Sequence, residues 1–84
     1  MNNKHRKTLG AIFASPVRSD IRWADIEELF KASGGTIKEG SGSRVWFIFG
    51  KNVATFHRPH PQPNTDKGAL KSVKRFFEHI GVRP

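Results

Sequence analysis

Arg44 to His57 constrains the fold of this chain more than any other stretch. Arg44 to Phe49 alternates Val45, Phe47 and Phe49 with Trp46 and Ile48, so a strand there carries apolar groups on both faces. Gly50-Lys51-Asn52 is a tight hairpin signal, and Val53 to His57 reads as the returning strand. Period-2 geometry puts Ala54 and Phe56 on one face of that strand, and Val53, Thr55 and His57 on the other.

The flanking segments supply the rest of a small domain. Thr36 to Glu39 is a brief third strand, joined to the hairpin by the flexible turn Gly40-Ser41-Gly42-Ser43. Before it, Trp23 to Ser33 reads as a helix with Trp23, Ile26, Leu29 and Phe30 on one face, Ser19 or Asp20 as its N-cap, and Gly34-Gly35 as its stop. Asp25, Glu27 and Glu28 crowd its early turns, where carboxylates complement the helix dipole, and they are read as dipole charges rather than as a general acid and base.

Asn64, Thr65 or Asp66 caps a last helix that runs to Ile80 and ends at Gly81. Its apolar face is Leu70, Val73, Phe76 or Phe77, and Ile80; its polar face carries Lys67, Lys71, Lys74 and Arg75 as a basic stripe. Near the N-terminus, Lys7 to Ala14 reads as a short helix stopped by Pro16 and weakened by Gly10, a docking arm rather than a core element.

A three-stranded antiparallel meander has one face that two amphipathic helices can cover. The expected fold is therefore a two-layer α+β domain of order α-β-β-β-α over residues 21–84, preceded by an N-terminal arm with a short helix over residues 1–20. One sheet face stays open, bearing either the Trp46 set or the Phe47 set, and is a candidate surface for nucleic acid or a protein partner.

Charge bears on the partner. Lys and Arg number 15 against seven Asp and Glu, a formal net charge of +8. Residues 1–22 hold five bases and one acid and residues 38–84 nine bases and three acids, so basic segments bracket the acidic helix. Such an excess favours a polyanion through phosphate neutralisation and counterion release, and a solvated basic surface is the equal alternative on charge alone. There is no cysteine, which removes disulfide and thiolate-metal frameworks and suits a reducing compartment. No apolar stretch approaches the roughly 18 residues of a membrane span, and the first residues lack a secretory apolar run. A soluble cytoplasmic protein is the expectation.

The chemistry-bearing stretch is Phe56 to Pro63, Phe-His-Arg-Pro-His-Pro-Gln-Pro. His57 and His60 have a spacing that can supply two metal ligands, but with no cysteine and only Asp66 nearby a zinc site would need distant help, and no metal is expected. Nucleophile-elbow and Walker patterns are absent. Phosphodiester cleavage by imidazole fits better. RNA carries its own nucleophile in the 2′-hydroxyl, so a base, an acid and cations around the phosphorane suffice. The structural alternative is that His57 packs at a strand end and His60 is a loop hydrogen-bonder.

The order α-β-β-β-α, Gly42-Ser43-Arg44 at the entry to the second strand, the His-Arg-Pro-His-Pro loop, Asp66-Lys67-Gly68 with Leu70 and Val73, and Ile80-Gly81-Val82 together resemble the HicA-type toxins, over Ile21 to Val82. The resemblance implies a double-stranded-RNA-binding-domain-like fold, ribosome-independent mRNA cleavage without a metal or small-molecule cofactor, and neutralisation by a HicB-type antitoxin that covers the active site. Most members carry a catalytic histidine where this chain has Arg44, while His60 matches the second histidine of the pattern. Either activity resides in the 57–60 loop, or the chain is a non-catalytic RNA-binding module. The expected site is His57 and His60 for proton transfer, with Arg44, Arg58, Lys67, Lys71, Lys74 and Ser43 for RNA phosphate.

Overall fold

The hairpin forms in the register that its alternation requires. In a computed structural model describing residues 1–84, β2 (Arg44–Phe49) and β3 (Asn52–His57) pair antiparallel from Arg44 opposite His57 to Phe49 opposite Asn52. Two residues make the turn, and Gly50 at φ +60 takes the first of them while Lys51 keeps a negative φ. That combination suits a type II′ turn, whose twist matches the flanking strands. β1 (Thr36–Glu39) adds on the other side of β2, giving the sheet order β1-β2-β3. The central strand is therefore the one with apolar residues on both faces.

Two helices cover one face of this sheet. α2 (Trp23–Ala32) lies against β1 and α3 (Lys67–Ile80) against β3. Between them and the sheet sits an aromatic core in which the fully buried Phe30 ring stacks on Phe47 at 4.5 Å and on Phe77 at 5.9 Å. Phe56 meets Phe47 edge-on at 4.9 Å, and Trp23 touches both at 5.7 and 5.8 Å. Offset and edge-on rings add to the burial itself. Gly35 follows from this packing, because a Cβ there would collide with the Phe30 ring.

Two features differ from the sequence reading. α1 (Asn3–Ile12) starts a turn earlier than Lys7, capped by Asn2, whose side chain accepts from the His5 amide at 2.8 Å. It packs on α2 and α3 and inserts Leu9 and Ile12 into the shared core, so it is a core element and not a docking arm. Apolar residues three apart were enough to bury it despite Gly10.

The N-cap of α2 is Arg22, without a side-chain cap, and not Ser19 or Asp20. Asp20 is held instead by Arg18 at 2.8 and 2.7 Å. The orphan amide of Trp23 donates to the Pro63 carbonyl at 3.0 Å, the Thr65 amide donates to the Ile21 carbonyl at 2.8 Å, and Arg22 bridges to Asn64. The segment before α2 thus zips onto the loop before α3, which satisfies the helix start without a polar side chain.

Candidate active site

Faces of the sheet sort the predicted residues. Val45 and Phe47 are fully buried under the helices, so Arg44, Trp46 and Ile48 stand on the open face; Phe56 is buried likewise, which puts His57 there too. The open face therefore bears the Trp46 set. Arg44 and His57 are direct cross-strand partners. The next pair outward is closed by the Arg58 amide, which donates to the Ser43 carbonyl at 2.8 Å. Arg44 and His57 thus form a non-hydrogen-bonded pair, the class with the closer side chains, Cβ atoms about 4.5–5.5 Å apart. Both are exposed.

His60 lies three residues on, exposed at the tip of the loop between β3 and α3, with Pro59 and Pro61 on either side. Both ends of this loop are anchored. Its far end is zipped to residues 21–23 as described above, and its near end is held by Arg58. The other two histidines are elsewhere: His5 is on α1, and His79 Nε2 is 3.1 Å from Asn52 Oδ1, at the opposite end of β3 from His57.

Arg58 itself continues the β3 alternation past Phe56 and turns toward the helices. Its Nε and Nη2 donate to Glu27 at 2.8 and 3.1 Å, and its Nη1 and Nη2 to Glu39 at 2.6 and 2.8 Å. Four of its five donors are committed to carboxylates, which leaves one N–H of the guanidinium for a phosphate. The Glu27 side chain, only 14% exposed, also accepts from the Trp23 indole. These hydrogen bonds push the Arg58 guanidinium further up, the Glu27 bonds most, and Arg58 holds the Glu39 carboxyl below its usual range. Glu27 is therefore not simply a helix-dipole charge. The sequence reading missed this cluster, although its signal was there: Glu39 is in phase with Ile37, and Arg58 with the buried Phe56, so each is a charge on a core-facing register.

Asp25 and Glu28 are also engaged, both with Lys4 of α1, at 3.5 and 3.3 Å. Lys4 is held protonated above its ordinary range, chiefly by the Glu28 hydrogen bond.

The basic stripe of α3 is divided. Lys67 and Lys71 are exposed on the first two turns, directly after the histidine loop, where Asp66 caps the helix by accepting from the Ala69 amide at 2.7 Å. Lys74 is half-buried and turned toward α1, its ammonium 5.6 Å from the centre of the Phe13 ring. Ser43 is exposed at the turn entering β2, beside Arg44. Nowhere do three His, Asp or Glu side chains converge as a metal-ligand group. No helix is long and apolar enough to cross a membrane.

Comparison with known proteins agrees with the resemblance carried by the motifs. Searches of curated proteins and of solved structures return no match. A family model described as HicA toxin of bacterial toxin-antitoxin matches residues 23–82, which spans α2, the whole sheet, the histidine loop and α3. The chain belongs to the HicA family of toxins from bacterial toxin–antitoxin systems.

Proposed function

We propose that this chain is a cytoplasmic endoribonuclease that cleaves mRNA by histidine acid–base catalysis, without a metal ion, and is silenced by a HicB-type antitoxin. The observation that carries the reading is the Arg44–His57 cross-strand pair on an open sheet face, with His60 three residues further on. Three residues span at most about 11 Å, so the two imidazoles can serve one phosphodiester.

In this reading one imidazole takes the proton of a ribose 2′-hydroxyl as its oxygen attacks the adjacent phosphorus. The other gives a proton to the departing 5′-oxygen. The P–O5′ bond breaks, leaving a 2′,3′-cyclic phosphate and a 5′-hydroxyl. Arg44 cannot act as the base, because guanidinium stays protonated, but its planar fork suits two phosphate oxygens as negative charge builds on them. Ser43, Lys67 and Lys71 supply further phosphate contacts around the loop. Lys74, over Phe13, contributes at a distance, and Arg58 acts by holding the start of the loop. Each proton transfer is worth roughly 100- to 10,000-fold.

The test is induced expression in a bacterial host with transcript integrity followed. Growth arrest with mRNA loss is expected, abolished in His60→Ala and His57→Ala variants whose circular dichroism is unchanged. Unaltered cleavage by either variant removes that histidine from the mechanism. A second reading, a non-catalytic RNA-binding module, is favoured by Arg44 standing where most relatives carry histidine. It requires salt-sensitive RNA binding with no product after long incubation. Co-purification with the product of an adjacent small reading frame would support the antitoxin partner.

A further inference from the structure

The open face of the sheet holds one feature that proton transfer does not use. Trp46 stands on the central strand with 37% of its surface exposed, its register partners being Lys38 on β1 and Thr55 on β3. It is two residues from Arg44 on the same face, one step along the ladder from the Arg44–His57 pair. That step is about 6.6–6.8 Å.

The remaining side chains of the face are Thr36, Ile48 and Val53, so three bases, Lys38, Arg44 and His57, surround the indole and no carboxylate does. The second tryptophan, Trp23, is buried and bonded to Glu27. An exposed indole on a rigid strand, in a field of cations without acids, complements a flat apolar base on an anionic backbone. It does not complement an acidic or apolar protein segment as specifically, because only the threonine hydroxyls and the His57 imidazole on the face can accept hydrogen bonds from backbone amides.

We propose that Trp46 is a positioning residue for single-stranded RNA, on which an unpaired base stacks while the neighbouring phosphate sits on Arg44 within reach of His57. The inference rests on the RNA-directed reading above and adds to it a substrate form. A base inside a duplex cannot lay its face on Trp46, so the substrate is single-stranded or locally unpaired. Lys38, opposite Trp46 on β1, holds the backbone on the side of the indole away from β3.

The experiment uses the full chain and a short 2′-O-methyl oligoribonucleotide, which cannot be cleaved through its 2′-oxygen, so binding is read apart from turnover. Titration should quench the fluorescence of the exposed indole. Trp46→Ala should weaken binding by about 5- to 150-fold, the span of one base–aromatic stack, and Trp46→Phe should restore most of it. The same sequence as a duplex should bind without the quench and without dependence on residue 46. Equal affinity of wild type and Trp46→Ala, with the fold of the variant verified by circular dichroism, overturns the inference and leaves this face to a protein partner. So does a duplex that quenches and competes as well as the single strand. Absence of cleavage on an unmodified RNA, with Trp46-dependent binding intact, counts against the histidine chemistry alone.

Discussion

Arg44 and His57 illustrate how much a single residue position decides. They face each other across the ladder because the hairpin register is fixed by a two-residue turn, and a slip of one residue between the strands would turn one of them under the helices and separate the pair. Arg44→Lys keeps a charge but loses the fork, so cleavage should fall about as far as in Arg44→Ala, by roughly 10- to 100-fold in kcat/KM from one charge-assisted contact. Recovery of full activity by lysine would show that only a point charge is needed. Lysines 67, 71 and 74 were equivalent by helical spacing and are not equivalent in space, since only the first two are exposed after the loop. Single alanine replacements of Lys67 or Lys71 should each lower the salt dependence of single-strand RNA binding, log K against log salt, by about 0.7, and Lys74→Ala by less.

At the scale of elements, β2, β3, α2 and α3 were legible because each has a clear period and a glycine or capping stop, and the brief β1 from β-compatible residues that end at the Gly-Ser turn. What was not legible depends on partners far apart in sequence. Arg58 looked like one more surface cation in a basic loop, but it ties α2 to β1 through Glu27 and Glu39 at the base of the histidine loop. The start of α2 looked like a capped helix, but its amide is satisfied by Pro63 from 40 residues on. Helix α1 looked like an arm because Gly10 and its polar composition hid a two-residue contribution to the core.

The Arg58–Glu39 pair has a pH signature. Folded Glu39 binds a proton less readily than unfolded Glu39, so unfolding takes up protons in acid. The contribution of the pair is present above the ordinary value of 4.5 and is lost as pH falls through the lowered folded value. Melting temperatures of wild type and Glu39→Gln, separated near neutral pH, should converge as pH falls below 4.5 and through the lowered folded value. A constant separation would show that the pair adds nothing electrostatic. Phe30→Ala should cost about 3–5 kcal/mol in denaturant unfolding, since the ring is fully buried and stacked on both layers.

The whole molecule joins an aromatic core, a sheet face that is free of acids and bears His57, and a loop anchored at both ends that carries His60. Deleting residues 1–13 removes Leu9 and Ile12 from the core and should lower the melting temperature by about 15 °C or more, whereas a peripheral arm would leave it unchanged. The core built from α1 as well as the family-matched residues supports the surface on which the proposed chemistry depends. That chemistry is tested most directly by the ends it leaves. Purified protein incubated with single-stranded RNA in a chelator should yield 2′,3′-cyclic phosphate and 5′-hydroxyl termini, with no cut at a site made 2′-deoxy and none by His57→Ala or His60→Ala. Intact RNA, or fragments ending in 3′-hydroxyl and 5′-phosphate, would contradict it.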